Sequence, residues 1–246
     1  MSRLKVLPVI DILNGAVVHA IKGIRSEYRP IQSILCDSSD PLEVAQTFKR
    51  LGFSELYVAD LDAIIDCSDN FLNFKGLAEQ AGLKLMVDAG VTSMERAESL
   101  LANGVSKLVI GTETLQKTSF VGEAVKAIGS DHVIVSLDLK GNKVLVKPGF
   151  DGCMDPLCLL EEFVSMDVSQ IVVLDLTRVG SEKGVNVDFL RKVLKDLPLK
   201  VYVGGGVRNI ADLIELEKLG VSGVLVATAL HTGKISIEEL KKAKLL

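Results

Sequence analysis

Five aspartates of this sequence each close a short apolar run, where a carboxyl group can transfer protons. They are Asp11, Asp60, Asp88, Asp138 and Asp175. A carboxyl group at the end of a buried strand can have its pKa raised by burial, which suits acid or base work near neutral pH. We predict this role for Asp11 and Asp138, one removing a proton from a substrate carbon and the other donating to an oxygen. Asp60 and Asp175 are expected to cap helices or brace loops.

A run of three glycines, Gly204 to Gly206, is the second chemical signal, and it follows a β-branched stretch. Glycines just past a strand let backbone N–H groups approach an anion closely, and the start of a helix adds favourable partial charge. Asn209 is a good first residue for such a helix. A later apolar run ends at Ala227 and Thr228. Two such strand ends side by side predict a phosphate-binding cup, and a plain tight turn is the alternative.

Eight short apolar runs recur along the chain, with helical segments between them. Nearly all are continuous rather than alternating, which is typical of strands buried on both faces of a parallel sheet. Eight strand–helix units in 246 residues favour a single closed (β/α)₈ barrel over an open doubly wound sheet. The predicted strands are 6–11, 55–60, 84–88, 107–111, 132–138, 170–175, 200–204 and 223–227.

The second half of the chain repeats the first. Residues 90–112 align without gaps on residues 206–228, at one offset of 116 positions. This predicts one domain, 1–246, made of two half-barrels at about 1–125 and 126–246. Generic likeness between α/β units does not easily give ungapped matching over a whole unit. Asp11 and Asp138 then occupy equivalent places and face each other across one mouth.

Net charge and cysteine spacing indicate which partners, metal sites and cellular location to expect. The net charge is −4 and no basic run stands out, so nucleic acid is an unexpected partner. The four cysteines, Cys36, Cys67, Cys153 and Cys158, have neither CxxC spacing nor a histidine cluster nearby. We therefore expect no disulfide framework, no bound metal and a cytoplasmic location. No signal peptide and no membrane span is expected either.

Sequence blocks at five predicted strand ends are specific in combination. They read PVIDI at 8–12, VADLD at 58–62, VIGT at 109–112, SLD at 136–138 and GGGV at 204–207. Together they resemble the histidine-biosynthetic half-barrel family, with a similarity that runs from about Pro8 to Ile235. The match leans to the ProFAR isomerase branch through residues 11–18 and through Lys147 and Phe150 after strand 5.

The resemblance implies an Amadori rearrangement of an aminoaldose phosphate, which opens, loses a proton at C2 and becomes an aminoketose. It implies no cofactor, because the substrate's own nitrogen stabilises the intermediate. Asp11 matches the family's base and Asp138 its strand-5 aspartate. The implied ligand is a small metabolite with two phosphates, one for each half-barrel. One cup matches Gly205, Gly206, Ala227 and Thr228, and the other matches Gly90, Gly111 and Thr112.

Several positions depart from the family pattern. Val179 stands where the family has its general acid, and valine cannot transfer a proton. Asp88 replaces a glycine of the first cup, and an ionised carboxylate there would repel a phosphate by roughly 1 to 4 kcal/mol at 4 Å. The chain has no tryptophan to stack on the substrate. The residues expected to contact the substrate are His19, which replaces an arginine, Asp88, Phe150, Arg178 and Ser181.

These departures predict a ProFAR-isomerase-like aldose–ketose isomerase that has diverged towards a different, singly phosphorylated substrate. Three alternatives stay open. The first is ProFAR isomerase itself, with Asp138 recruited as acid. The second is a lyase or synthase that forms a Schiff base on Lys22, Lys140 or Lys147, and the third is a non-catalytic barrel that binds a phosphometabolite. The oligomeric state is not predicted.

Overall fold

The computed structural model describes residues 3–66, 73–181 and 183–246, so Cys67 lies outside the described residues. Eight parallel strands form a barrel: β1 (Lys5–Leu13), β2 (Glu55–Asp60), β3 (Lys84–Asp88), β4 (Val105–Gly111), β5 (Val133–Lys140), β6 (Gln170–Asp175), β7 (Lys200–Gly204) and β8 (Gly223–Val226). The barrel closes because β1 pairs with β2 through Val9 to Ile12 and with β8 through Lys5 to Pro8. The predicted (β/α)₈ fold class is confirmed.

Eight helices alternate with the strands around the barrel. They are α1 (Pro41–Leu51), α2 (Phe74–Ala81), α3 (Met94–Ala102), α4 (Ser119–Ile128), α5 (Pro156–Ser165), α6 (Val187–Asp196), α7 (Ile210–Leu219) and α8 (Ile237–Lys242). The predicted helix start at Asn209 is confirmed at α7, where its side chain accepts hydrogen bonds from the first turn, and Asp40 caps α1 in the same way. Short helices, Leu61–Asp66 and Thr228–His231, follow β2 and β8 directly.

Two strands run on past their predicted ends. β1 continues to Leu13 and turns back through Asn14 and Gly15, both at positive φ, into the antiparallel strand Ala16–His19. β5 continues to Lys140 and pairs with the short strand Lys143–Val144. Both hairpins follow the aspartates predicted to be catalytic. The division into two half-barrels stays a prediction.

Two apolar layers hold the barrel together, because successive side chains of a strand point to opposite faces. The outer layer packs the sheet against the helices and contains the buried Phe48, Phe74 and Phe163. The barrel interior is filled by a second set, which includes Leu7, Tyr57, Met86, Val109, Ile134, Val172, Tyr202 and Leu225. Near the amino ends of the strands, Lys5 pairs with Glu55. The interior is thus packed, and open space lies at the other end.

The sequence predicts no disulfide framework, and the structure has one local disulfide that the prediction did not include. Cys153 and Cys158 are joined by a disulfide, with their Cα atoms 6.1 Å apart. The bond spans the start of α5, where Asp155 caps the first turn by accepting from the N–H groups of Leu157 and Cys158. The helix start brings the two cysteines together although they lie five residues apart, a spacing that matches no recognised cysteine motif.

We expect Asp40→Ala to lower the free energy of unfolding by about 1 kcal/mol. The Asp40 carboxylate accepts from the N–H groups of Leu42 and Glu43, both at 3.0 Å, and alanine leaves those two donors unpartnered. Urea unfolding of the variant measures the loss. Asp40→Asn is the matched control, since its side-chain oxygen can still accept. An equal loss in both variants would show that the cap is not the cause.

Candidate active site

A cavity of about 520 Å³ opens at the carboxyl ends of the strands. This is the end of the fold where barrel enzymes place their active sites. Of the residues predicted from the sequence, the cavity brings together Asp11, Asp88, Asp138, Gly205, Gly206, Ala227 and Thr228. His19 instead lines a smaller adjoining space, where its Nε2 lies 3.1 Å from Oγ1 of Thr228.

Three carboxyl groups face this cavity from alternate strands. Asp11 lies on β1 and is partly exposed, whereas Asp88 at the end of β3 and Asp138 on β5 are 7% and 3% exposed. Gly111 lies between the latter two on β4. A Cβ atom added to Gly111 would be 2.9 Å from Oδ2 of Asp138 and 3.2 Å from Oδ2 of Asp88. The two carboxyl groups therefore converge over a residue that has no side chain.

Asp138 is held by a network of donors. Its Oδ1 accepts from the Ser136 hydroxyl at 2.6 Å, and its Oδ2 accepts from the backbone N–H of Glu113 at 3.0 Å. The N–H of Asp138 itself donates to Oγ1 of Thr112 at 3.0 Å. These bonds fix the direction of the carboxyl group before any ligand binds. The buried Thr112 side chain is therefore directed towards β5, because its hydroxyl oxygen accepts the N–H of Asp138.

The cavity raises the pKa values of these three carboxyl groups into the range that is useful for proton transfer near neutral pH. Burial raises the pKa of Asp11 to about 7. Burial also raises the pKa of Asp138 to about 7, although the bonds from Ser136 and Glu113 oppose the rise. Burial first, and then the charge of Asp138, raises the pKa of Asp88 to about 8. Asp88 is thus mainly neutral at pH 7, and the repulsion expected of an ionised Asp88 does not apply there.

The loops after β6 and β7 shape one wall of the cavity. Gly205 and Gly206 have φ values of 89° and 93°, and a Cβ atom on Gly206 would collide with the carbonyl oxygen of Gly184. Arg178 clamps the β6 loop over them, since its Nε lies 3.0 Å from Oδ2 of Asp175 and its Nη1 donates to that same carbonyl at 2.9 Å. This wall therefore requires glycine for both backbone conformation and close approach.

The opposite wall is built differently. The N–H of Gly90 donates to Oδ1 of Asp88 at 3.2 Å, and the N–H of Thr112 donates to the carbonyl of Ser136 at 2.9 Å. Both N–H groups belong to the predicted phosphate cup of Gly90, Gly111 and Thr112, and both already have a partner within the protein. Glu113 lines the cavity on this side and forms an ion pair of 2.7 Å with Arg25. The two walls of the mouth are chemically unlike.

Several predicted ligand residues do not line the cavity among the residues that the structure describes. They are Gly90, Gly111, Thr112, Phe150, Arg178 and Ser181. Arg178 braces the β6 loop, and the hydroxyl of Ser181 donates to its carbonyl at 2.8 Å. The Phe150 ring lies over Gly152. The structure thus gives these side chains local partners, while their part in ligand binding stays a prediction.

Sequence reasoning missed other residues of the cavity. Glu113 follows the Gly111-Thr112 pair at a strand end, which is the signal that identified the other carboxyl groups, and it was overlooked. Arg25, in a short 3₁₀ turn after β1, carries no motif that would have marked it.

Within the described ranges no three His, Cys, Asp or Glu side chains group as metal ligands do. Nor is any described helix long and apolar enough to cross a membrane.

Comparison with known proteins finds relatives over nearly the whole chain. The family model described as "Histidine biosynthesis protein" matches residues 5–236. An uncharacterised protein of Methanocaldococcus jannaschii is 35% identical over 241 residues, which cover 96% of this chain and 97% of that protein.

Two further relatives carry the name 1-(5-phosphoribosyl)-5-((5-phosphoribosylamino)methylideneamino)imidazole-4-carboxamide isomerase, which is ProFAR isomerase. The one from Streptococcus sanguinis is 30% identical over 244 residues, 98% of each chain. The one from Methanocaldococcus jannaschii is 28% identical over 240 residues, 97% of each chain. In that organism, the uncharacterised protein is therefore more similar to this chain than the named isomerase is.

We expect Asp88→Asn to stabilise the protein at high pH and to have little effect at low pH. The pKa of Asp88 is about 8 in the folded chain against an ordinary 3.8, so the folded state binds more protons between those values. The carboxyl group therefore lowers stability as pH rises from about 4 to about 8. Since one pKa unit corresponds to about 1.4 kcal/mol, the gain at high pH is on the order of several kcal/mol.

Urea unfolding of wild type and variant near the two ends of this range measures the gain. Asp188→Asn is the control, because the Asp188 side chain is 90% exposed and its replacement should change stability little at either end. A gain for Asp88→Asn that is the same at both ends would contradict the assignment.

Proposed function

Because this chain belongs to the histidine biosynthesis protein family, we propose that it catalyses an Amadori-type aldose–ketose isomerisation of a small phosphorylated metabolite. The observation that carries the proposal is the meeting of Asp11, Asp138 and the Gly205–Gly206 wall in one cavity. Carboxyl groups and an anion-binding wall together are what proton transfer on a sugar phosphate needs. ProFAR isomerase, the name of two relatives, is an isomerase of this kind.

In the proposed reaction Asp11 acts as the base. Its pKa of about 7 leaves a large fraction ionised at neutral pH, so that it can remove the proton from C2 of the opened aminoaldose. Asp138 handles the proton on the sugar oxygen, and the bonds from Ser136 and Glu113 keep it aimed at the cavity. The substrate's nitrogen stabilises the intermediate, so the reaction needs no cofactor.

One phosphate group fits the wall formed by Gly205, Gly206, Ala227 and Thr228. All four residues line the cavity, and Gly205 and Gly206 have positive φ angles beside the loop that Arg178 clamps. A ligand without a second phosphate is supported on the opposite side, because the N–H groups of Gly90 and Thr112 are already used within the protein. The greater likeness to the uncharacterised protein of Methanocaldococcus jannaschii than to that organism's isomerase also supports a different substrate.

A Schiff-base lyase or synthase is the second candidate function, and two lysines in the cavity lining support it. Lys22 and Lys140 line the cavity, whereas Lys147 does not. An amine that faces a carbonyl substrate can form an imine. Borohydride reduction in the presence of aldehyde and ketone phosphates traps such an imine on the lysine, and the isomerase proposal expects no trapped adduct.

We expect Asp11→Asn and Asp138→Asn each to lower turnover by at least about 100-fold. The assay substrates are ProFAR and, as a singly phosphorylated probe, an N-aryl ribosylamine 5-phosphate, both followed by chromatography of the ketose product. Faster conversion of the singly phosphorylated probe than of ProFAR would match the divergent substrate. Unchanged turnover in Asp11→Asn, or a non-catalytic wild type that still binds the probes, would overturn the isomerase proposal.

We expect one inorganic phosphate to bind per chain, and Thr228→Glu to abolish its binding. The new carboxylate would lie at the cavity wall, where it repels the anion. Titration calorimetry gives both stoichiometry and affinity. Thr232→Glu is the matched control. It introduces the same charge one helical turn later, at a residue that does not line the main cavity. Equal binding of two phosphates by the wild type would exclude the single-cup interpretation.

A further inference from the structure

We propose that the acid of this site is a pair of carboxyl groups, Asp88 with Asp138, which converge over Gly111 and hold one proton between them. The pair replaces the acid that is missing at Val179. This inference rests on the proposed isomerisation and adds Asp88 as a further catalytic residue.

The geometry of β3, β4 and β5 creates the pair. Asp88 ends β3 and Asp138 lies on β5, so the strand between them must leave room for both side chains. Gly111 does this, because a Cβ atom there would be within 3.2 Å of an oxygen of each carboxyl group. Each group is more than nine-tenths buried and lines the cavity. Two carboxyl groups so placed, away from bulk water, do not both ionise readily.

The charges that act on Asp88 come from Asp138 and Glu113, which raise its pKa, and from Arg25, which lowers it. Tyr57 is coupled to Asp88 as well, and Lys22, Lys140 and Lys234 line the same cavity. The Arg25 guanidinium already pairs with Glu113 at 2.7 Å. Asp138 is thus the charged group that acts most on Asp88, which favours retention of a proton by the pair.

Unequal hydrogen bonding decides which member of the pair holds the proton. Asp138 accepts from the Ser136 hydroxyl and from the N–H of Glu113, one donor to each oxygen, which stabilises its anion. Asp88 accepts at Oδ1 from the N–H of Gly90, in a longer bond of 3.2 Å. The proton thus rests on Asp88, and Oδ2 is the oxygen directed to the space over Gly111.

Val179 supports such an arrangement. It lines the cavity beside Gly205, where a Cβ atom on the glycine would be 3.2 Å from its Cγ2. A methyl group at that wall donates no proton. The acid is therefore displaced from the loop after β6 to the end of β3, on the other side of Asp138.

The proton balance closes without an outside reagent. The pair gives its proton to the ring oxygen as the C1–O bond breaks and the nitrogen lone pair forms the C1=N bond. Asp11 then takes the proton from C2 and returns it to C1. The proton that leaves the C2 hydroxyl as the ketone forms reloads the pair, so that both carboxyl sites end as they began.

Asp88→Asn tests the pair by two independent measurements. In carboxyl ¹³C NMR of aspartate-labelled protein, the wild type should show one carboxyl group that titrates near pH 8, and the variant should lack it. Asp138 should titrate in a single step in the variant, because the coupling to a second ionising carboxyl group is gone. A titration of Asp88 in the ordinary range, or no change at Asp138, would overturn the pair.

The second measurement is turnover of ProFAR and of the N-aryl ribosylamine 5-phosphate. Asp88→Asn should lower kcat by about 100-fold with little change in KM. Asp60→Asn is the matched control: Asp60 is 2% exposed, ends β2 and accepts from the N–H of Ala63, but it does not line the cavity. Asp60→Asn should keep wild-type kcat.

The outcomes separate this inference from the proposed function. If Asp11→Asn abolishes turnover but Asp88→Asn does not, the isomerase stands and the pair is wrong as its acid. If the wild type converts neither probe, the isomerase proposal fails, while the NMR titration still decides whether Asp88 and Asp138 share a proton. Should Asp88→Asn fold poorly, Gly111→Ala provides a second variant that separates the carboxyl groups and should shift both titrations.

Discussion

Closure of the sheet between β1 and β8 is the constraint on which the site depends. In an open parallel sheet the carboxyl ends of the first and last strands lie far apart, whereas here Lys5 to Pro8 pair with Gly223 to Val226. That pairing brings Asp11 on β1 next to Ala227 and Thr228 beyond β8, and it encloses the ends of β3 and β5 in the same mouth. Since the interior below is filled with side chains, Asp88 and Asp138 are buried and Asp11 is partly buried, yet all three face a ligand-sized space.

Burial gives these carboxyl groups their chemistry, and the surrounding donors make them different from one another. The pKa of Asp11 is raised by burial alone. Asp138 accepts hydrogen bonds from Ser136 and Glu113, and Asp88 lies close to Asp138 over Gly111. Three residues of one type thereby acquire distinct environments. The loop clamp made by Arg178 and Asp175 acts on the other side of the mouth, where it fixes the glycine wall.

Much of the fold was predictable because buried parallel strands give continuous apolar runs. The predicted bounds 55–60, 84–88, 170–175 and 200–204 are those of β2, β3, β6 and β7. The places of the strand-end aspartates followed from those bounds. The hairpins after Asp11 and Asp138 were missed because polar turns interrupt the apolar pattern there. The directions of Arg178 and Phe150 depend on contacts between loops, and the Cys153–Cys158 bond depends on the local turn at the start of α5. Strand periodicity reports neither.

The unlike walls of the mouth have a consequence for how a ligand is oriented. A mouth with matching cups on both sides would hold a bisphosphate by both of its ends. Here one side offers glycine backbone, while the other offers Asp88, Asp138 and the Glu113–Arg25 pair. A ligand with one anionic end therefore has a single favourable pose. A mouth with a single phosphate cup, as we propose, would thereby fix the direction in which its ligand lies.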